Sequence, residues 1–532
     1  MLQLLLGGSG SGKTTLLYQR IRARAEKGEK SILLVPEQFT SSTEGRIYRE
    51  LGDALSGMVE SFSFTSLAEK ILSTEGGAAV QTLSDAGRAV LVRRALEELQ
   101  DNVHYYHRHR RSAAFCQMAA QTIDELKSAG LSGQQLAQLA GACGAESGKL
   151  SELALIFQGY ETLLARSGMD PSDRLELAGA RLEEALARHS LPEFLRDRAV
   201  FIDEFDTFNA PKKRLLGAML AALPSVTVAL CDDGAPLLPG DLSLFSGAKQ
   251  VAAQLRQLAR KNGAEVAVPQ LLRKDLRHRN APGLAAVAEL LETGSCTADA
   301  PAGEVRLFAA PSREEEARAA AGAIRRLMRQ GVRCGKIAVV CRDIAKYRAA
   351  VRYEFRMAEI PLYCDEPTTP EFSAPATAVR ALLEIARGAD LTENLTTLAK
   401  TGLCALSEEQ VCALENYAYT WAPTAAAWRE KFERSPKGFG EQELTEEDLR
   451  NRERAEHARA LLVGAVDAFR AKVRGVNAEA ISRAVYFCLK TLGAEEQQAA
   501  QVKAIRAGRG IPAAEEAARE WNVVMGLLNE MA

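Results

Sequence analysis

The sequence lacks the features that would assign it to several specialised classes. No apolar run is long enough to cross a bilayer, and the first residues do not read as a cleavable signal. The ten cysteines include no C-x-x-C pair, which argues against a zinc or iron-sulfur site within the chain. Basic side chains number 67 against 69 acidic ones, so no net charge draws the chain to nucleic acid. We therefore expect a globular cytoplasmic protein without membrane contact, whose contacts with polyanions come from local patches.

A phosphate-binding pattern lies close to the start of the chain. Residues 7–14 match G-x-x-x-x-G-K-[ST], behind an apolar run that predicts a buried strand and ahead of a helix-spaced apolar pattern. In such a loop, backbone N–H groups converge on phosphate oxygens, Lys13 reaches the β and γ phosphates, and Thr14 holds Mg²⁺. The alternative is a Gly/Ser-rich turn that binds no ligand. The complete motif, together with the predicted strand before it and the predicted helix after it, argues against this alternative. The predicted ATP-binding residues are Gly7, Gly8, Ser9, Gly10, Ser11, Gly12, Lys13, Thr14 and Thr15.

Strand and helix signals alternate in the first part of the chain. Apolar runs at 31–35 and 59–64 predict further buried strands, after which residues 85–189 show only helical spacing. Strand signals return at 199–202 and 226–230, and these would resume the interrupted sheet. We predict a first α/β domain that is discontinuous, with a helical insertion.

A second α/β unit is predicted behind a linker. A polar stretch at 273–280 and a Gly/Ala/Pro-rich stretch at 293–303 separate it from the first unit. Residues 374–532 then show helical spacing throughout. Two helices and three short apolar runs predict a second parallel sheet, with strands at 305–309, 337–340 and 361–363.

An acidic pair, Asp203-Glu204, directly follows the predicted strand 199–202. Beside a phosphate loop, the carboxyl end of a strand is where a nucleotide-hydrolysing enzyme needs a ligand for Mg²⁺ and a base that polarises water. Solvated acidic turns are common, so the pair gains its meaning from the loop at Gly7. We predict Asp203 as a metal ligand and Glu204 as the catalytic base.

The order of these blocks resembles the superfamily 1 DNA helicases of the UvrD type, in which ATP lies between two RecA-like lobes. Residues 315–317, 337–342 and 360–361 are similar to the start of the second lobe. In that resemblance Arg342 takes the place of an arginine that reaches the γ-phosphate across the cleft; the alternative is a surface arginine at a strand end. The resemblance implies an α/β fold of two RecA-like P-loop NTPase lobes with parallel sheets, each with a mainly helical insertion or subdomain. The resemblance also implies the domain bounds. The first RecA-like lobe (1A) would comprise 1–84 and 190–295, and its helical insertion (1B) would comprise 85–189. The start of the second lobe (2A) would lie at 304–373, followed by a helical subdomain (2B-like) at 374–532.

Several shorter stretches resemble the AddB family more specifically. Those stretches are 33–38, 61–68, 123–130, 400–403 and 414–417. The resemblance implies a subunit that pairs with an AddA-type helicase-nuclease, contacts double- and single-stranded DNA, and helps to process double-strand breaks for homologous recombination. In that family a C-terminal nuclease domain carries an iron-sulfur cluster, and we expect both to be absent from this chain, which would correspond to the amino-terminal half.

The sequence lacks some of the motifs that translocating helicases use to couple ATP hydrolysis to movement along DNA. Where a translocating helicase carries a sensor glutamine, this chain has Cys-Asp-Asp-Gly-Ala at 231–235, and the DExQ pattern becomes Asp-Glu-Phe-Asp at 203–206. We therefore expect ATP binding with weak hydrolysis and a role in DNA recognition. An ATP-driven DNA translocase is the main alternative, and the second α/β unit argues against a small-substrate P-loop kinase.

A cluster of aromatic and cationic residues lies at 105–111, inside the helical insertion. A solvated loop is the first interpretation. The second is a DNA contact, because aromatic rings can stack on bases while arginines pair with phosphates. A metal site is the third, since no cysteine or carboxylate stands nearby at ligand spacing. The candidate DNA contacts are Arg108, Arg110 and Arg111, and the candidate metal ligands are His104, His107 and His109.

Overall fold

The computed structural model describes residues 1–77, 82–142, 144, 147–295, 305–364, 370–440 and 443–531. Most of the predicted linker 293–303 therefore lies outside the described residues. The chain divides into two compact units, Met1–Phe308 and Ala309–Ala532. None of the helices in the described ranges is long and apolar enough to cross a membrane.

A parallel sheet forms the centre of the first unit. Its strands are β1 (Leu2–Gly7), β2 (Ser31–Leu34), β3 (Val59–Phe62), β4 (Ala199–Ile202), β5 (Ser225–Cys231) and β6 (Gln270–Leu272). They lie in the order β3-β2-β4-β5-β1-β6, and every pair is parallel. Because β2 pairs with β3 on one side and β4 on the other, the sheet continues across the insertion as predicted. The sequence patterns identified all of these strands except the three-residue β6.

Some helices of the first unit cover both faces of this sheet, and others form the helical insertion. They are α1 (Lys13–Ala25), α2 (Thr40–Leu51), α3 (Asp53–Ser56), α4 (Phe64–Glu75), α5 (Asp85–Glu98), α6 (Ala113–Ser128), α7 (Gly133–Ala140), α8 (Ser147–Ser167), α9 (Pro171–Ala187), α10 (Ala210–Ala222), α11 (Ser246–Lys261) and α12 (Pro282–Thr293). Successive side chains of β1 alternate between the two faces: Leu4 joins a core with α4, α10 and α11, whereas Leu5 joins one with α1 and α2. Burial on both faces explains why these strands are continuous apolar runs in the sequence.

The helical insertion has a core of its own. Leu96 of α5, Ile123 of α6 and Phe157 of α8 pack together in it, which confirms the helical block predicted at 85–189. Helix α9 differs, because its Leu175 and Leu182 belong to the core of the sheet. Apolar spacing predicts that a segment is a helix, but the spacing does not specify which neighbour covers its apolar face.

The second unit is helical. Its helices are α13 (Arg313–Arg329), α14 (Ile344–Met357), α15 (Ala374–Ala386), α16 (Leu391–Lys400), α17 (Glu408–Trp421), α18 (Glu446–Lys472), α19 (Ala478–Thr491), α20 (Ala494–Arg509) and α21 (Ile511–Met531). Helices α15 to α21 share one core around the fully buried Trp428, whose Nε1 donates to Thr392 Oγ1 at 2.8 Å. The helical block predicted at 374–532 is thereby confirmed.

The predicted second parallel sheet, by contrast, is not seen in the described residues. Residues 305–364 contain no strand, although strands were predicted at 305–309, 337–340 and 361–363. Side chains such as Leu307 and Val340 are almost completely exposed instead. A parallel strand is stable only when neighbouring strands pair with its backbone and helices cover both faces, and these segments have no such pairing. The α/β class is thus confirmed for the first unit, whereas a second RecA-like lobe is not.

Candidate functional site

The ends of three neighbouring strands bring the predicted site together. Strand β5 lies between β1 and β4, and Gly7 at the end of β1 is in register with Cys231 at the end of β5. The backbone N–H of Asp232 donates to the carbonyl oxygen of Gly7 at 3.2 Å. Because carboxyl ends of parallel strands share one edge of a sheet, the phosphate loop and Asp203, which follows β4, lie at the same edge.

The phosphate loop turns from β1 into α1 with a backbone that requires glycine at two positions. Gly10 has a φ of 80° and Gly12 a φ of 89°, in the left-handed region that other residues avoid. Gly12 is the N-cap of α1 and offers no side chain to the first N–H groups of the helix. These N–H groups, at the positive end of the helix dipole, form a ready site for an anion.

Lys13 is folded over its own loop. Its Nζ donates to the carbonyl oxygens of Gly7 and Gly8, each at 2.8 Å. Burial lowers the pKa of the Lys13 ammonium from its ordinary value, while the nearby Asp203 carboxylate opposes this shift. The ammonium is therefore held at the mouth of the loop, where phosphate oxygens could replace the two carbonyls as acceptors.

The hydroxyl groups of the loop fit a phosphate-bearing ligand. Ser11 is only 6 % exposed, and its Oγ has no hydrogen-bond partner among the described residues. A buried hydroxyl without a partner costs about 1–3 kcal/mol, which a phosphate oxygen would relieve. Thr14 is half-buried in the first turn of α1, whereas Ser9 and Thr15 are exposed.

The acidic pair combines a buried carboxylate with a strained backbone. Asp203 is 6 % exposed, and its Oδ1 accepts the backbone N–H of Glu204 at 3.0 Å. Glu204 has a φ of 64°, a strained conformation for a residue with a side chain, and such strain is typical of active sites. Burial raises the pKa of the Glu204 carboxyl, Asp203 raises it further, and Arg46 opposes both. A carboxyl with a raised pKa is a better proton acceptor near neutral pH than an ordinary glutamate.

The segment that connects β6 to α12 folds against the phosphate loop. The backbone N–H of Leu276 donates to the carbonyl oxygen of Gly10 at 3.0 Å, and Arg277 Nη1 donates to Ser9 Oγ at 3.1 Å. The Asp275 carboxylate accepts the backbone N–H of Arg277 at 3.0 Å and so fixes the turn. The interpretation of 273–280 as a linker between the two α/β units was therefore wrong. Polar groups of this stretch form hydrogen bonds with the phosphate loop and with one another. The turn-forming Asp275 and the proline that opens α12 were the signals available in the sequence.

A second carboxylate, from Glu292 at the end of α12, also faces the phosphate loop. A Cβ added to Gly8 would lie 2.9 Å from Glu292 Oε1. The charge of Glu292 also acts to raise the pKa of Lys13. The sequence patterns did not single out this residue, since only the fold of 270–292 brings it to the loop.

We predict that Glu292→Gln binds ATP more tightly than the wild type. The Glu292 carboxylate repels incoming phosphates, and removing one such charge near a protein surface changes the affinity by about fivefold. Isothermal titration calorimetry measures the change. Glu26→Gln, at the far end of α1 about 20 Å from the loop, removes the same charge and should leave the affinity unchanged. Weaker binding by Glu292→Gln would show that the carboxylate supports the site.

Magnesium would need ligands beyond the protein. Among the described residues, no group of three His, Cys, Asp or Glu side chains could hold a metal ion, and this includes the three histidines at 104–109. Thr14 and Asp203 could supply two oxygen ligands, and Mg²⁺ commonly completes its shell with phosphate oxygens and water. Arg342 is exposed in the second unit, in the loop before α14, and its catalytic role stays a prediction.

Comparison with known proteins matches the region that builds this site. The family model "ADDB, N-terminal" covers residues 4–288. An ATP-dependent helicase/deoxyribonuclease subunit from Desulforudis audaxviator is 32 % identical over 80 % of this chain and 37 % of its own length. Relatives of the same name from Moorella thermoacetica and Heliobacterium modesticaldum are each 29 % identical over 100 % of this chain. The chain spans less than half the length of these relatives, 47 % and 45 % for the latter two. The chain belongs to the AddB family.

Proposed function

We propose that the chain is the nucleotide-binding, helicase-like part of a bacterial helicase-nuclease subunit that recognises DNA during double-strand break repair by homologous recombination. The observation that carries the proposal is the phosphate loop at residues 7–15, placed at the carboxyl edge of a parallel sheet in a chain of the AddB family. ATP with Mg²⁺ is the proposed ligand.

The site supports each part of this ligand. Backbone N–H groups at the start of α1, together with Lys13 and Arg277, would bind the phosphates. Thr14 and Asp203 would hold Mg²⁺, and Glu204 would accept a proton from water. When bound, Mg²⁺ neutralises charge on the phosphates. Arg342 remains a proposed catalytic residue.

The proposed partners follow from the family. The relatives are each named as one subunit of a helicase/deoxyribonuclease, which implies at least one other subunit for them. We propose that this chain acts with an AddA-type helicase-nuclease on double- and single-stranded DNA in the cytoplasm. The nuclease activity and the iron-sulfur cluster are proposed for the C-terminal region of full-length members. The second α/β unit was the argument against a small-substrate kinase, but its sheet is not seen in the described residues. Membership of the AddB family now argues against a kinase instead.

Calorimetric titration of the chain with ATP tests the proposal. Saturable one-to-one binding that depends on Mg²⁺ is expected, and binding should weaken when EDTA removes the metal. The absence of any binding of ATP, ADP or GTP would contradict the nucleotide site. Weaker binding by the Lys13→Ala variant would assign the binding to the loop.

A translocating ATPase is the second candidate, because the buried Asp203 and the strained Glu204 directly follow β4, a neighbour of the strands that end at the phosphate loop. The segment after β5 speaks against it. The Asp232 and Asp233 carboxylates accept the backbone N–H groups of Gly234 and Ala235, at 2.7 and 2.8 Å, and this turn presents no side-chain amide. This supports the proposal that hydrolysis is not linked to DNA through a sensor glutamine at this position.

We predict that single-stranded DNA stimulates ATP hydrolysis by this chain weakly or not at all, and that the chain alone neither unwinds nor cuts DNA. A phosphate-release assay with and without oligothymidylate measures the stimulation, and a Glu204→Gln variant gives the background. Strand-dependent turnover near the ~10 s⁻¹ typical of enzymes would favour the translocase instead.

A further inference from the structure

The loop between α5 and α6 presents a cluster of arginines at its surface. Arg108 and Arg111 are exposed, and Tyr105 between the two helices is 61 % exposed. Among the described residues, no carboxylate forms an ion pair with Arg108, Arg110 or Arg111. The neighbouring arginines of α5 behave differently. Arg93 and Arg94 pair with Glu97 and Glu98, each at 3.2 Å.

The backbone of this loop is fixed by one carboxylate. Glu152 on α8 accepts the backbone N–H groups of three successive residues at distances of 2.8–3.2 Å. Those residues are His104, Tyr105 and Tyr106. Although burial acts to raise the pKa of the Glu152 carboxyl, these hydrogen bonds lower it overall. The Glu152 carboxylate therefore anchors the backbone at the start of the loop.

Aromatic packing fixes the other part of the loop. The rings of Tyr106 and His109 lie 5.2 and 5.8 Å from the ring of Phe115 on α6. The exposed ring of Tyr105 meets Tyr106 edge to face at 5.0 Å. A loop held at both ends loses little conformational freedom when a ligand binds, so its exposed groups are pre-organised for contact.

We propose that this loop is a contact site for single-stranded DNA, in which Tyr105 stacks on a base and Arg108 and Arg111 pair with backbone phosphates. The proposal rests on the DNA-binding part of the proposed function and adds its location. Single-stranded DNA is favoured over duplex because its unstacked bases offer free faces to an aromatic ring. Glu152 is a positioning residue, since it acts through the loop backbone.

Fluorescence anisotropy with labelled oligothymidylate tests the stacking contact on the whole chain. Tyr105→Ala is expected to weaken binding by about fivefold or more, the range found for base–aromatic stacking. Tyr105→Phe keeps the ring and should bind within about twofold of the wild type. Equally weak binding by both variants would point to the hydroxyl group and contradict stacking.

The salt dependence tests the phosphate pairing. Removing one cation that pairs with a phosphate should reduce the slope of log K against log salt by about 0.7 for single-stranded DNA. Arg108→Ala with Arg111→Ala is therefore expected to reduce the slope by about 1.4. Arg93→Ala with Arg94→Ala is the matched control, because it removes two ion-paired cations from the same insertion and should leave the slope unchanged.

Glu152→Gln separates positioning from charge. If only the net charge of the loop region affects DNA binding, removing the negative charge of Glu152 should tighten that binding. Glutamine has only one acceptor oxygen and an amide that would face the backbone donors, so a less ordered loop should weaken binding instead. We expect weaker binding, with thermal unfolding used to verify that the insertion remains folded. Tighter binding by Glu152→Gln would overturn the positioning role.

The outcomes distinguish this inference from the function on which it rests. If the wild type binds oligothymidylate and the Tyr105 and arginine variants match their controls, the loop is excluded and the proposed function stands. If the wild type shows no binding even at low salt, both the loop and the DNA-binding part of the function fail. If duplex DNA competes as well as the oligothymidylate, the assignment to single strands is overturned.

Discussion

Lys13→Ala is expected to reduce the affinity for ATP with Mg²⁺ by on the order of 1.5–3 kcal/mol, which corresponds to about 10- to 100-fold. The Lys13 Nζ already lies 2.8 Å from the loop carbonyls of Gly7 and Gly8, where its charge would meet the β and γ phosphates. Alanine removes the charge-assisted hydrogen bonds and leaves the N–H groups of α1 as the main phosphate contacts.

Isothermal titration calorimetry of both proteins measures this difference. Lys27→Ala, just beyond the end of α1, removes the same charge far from the loop and should bind ATP as the wild type does. Thermal unfolding without nucleotide verifies that the loop variant is folded. If Lys13→Ala and the wild type bind ATP equally, the phosphate-loop assignment is wrong.

Tight binding of a DNA end is expected only in the presence of an AddA-type partner and the full-length subunit. Affinity for DNA scales with the number of cations placed against phosphates, and this chain has a net charge of −2. Many of its arginines are already paired; Arg214, for example, pairs with Glu176 and Glu183. The chain alone should therefore bind duplex ends in the non-specific range, with dissociation constants of roughly 10⁻⁴ to 10⁻⁶ M at physiological salt.

Titration of labelled duplex ends with the chain alone and with the assembled complex measures this difference. We expect the complex to bind about 1000-fold more tightly and to resist salt, the margin typical of specific over non-specific binding. A complex assembled from the Arg108→Ala/Arg111→Ala variant shows how far the loop of the helical insertion contributes. Nanomolar binding by the chain alone would reveal a cationic channel that composition does not show.

Sequence patterns predicted correctly those elements whose structure depends on residues close to each other in the chain. Strand β1, the turn with left-handed Gly10 and Gly12, and the start of α1 at Lys13 all follow from short-range backbone preferences and apolar spacing. The acidic pair at Asp203 was predicted for the same reason, since it directly follows a continuous apolar strand. The AddB family was likewise recognised from short stretches, and the match over residues 4–288 confirms it.

The tertiary structure decided what depends on distant partners. The apolar runs at 305–309, 337–340 and 361–363 resemble strands, yet they form none in the described residues, because a strand also needs a neighbour to pair with. The polar stretch around Asp275 resembled a linker, yet it packs on Gly10, which lies far earlier in the chain. Its preceding strand β6 pairs with β1 over only three residues, which is too short for a periodic signal. By itself, then, the sequence determined the phosphate loop, the acidic pair and the helical blocks, because local backbone preference and side-chain spacing encode them. Only the fold determined that Arg277 and Glu292 face this loop, because long-range packing brings them there.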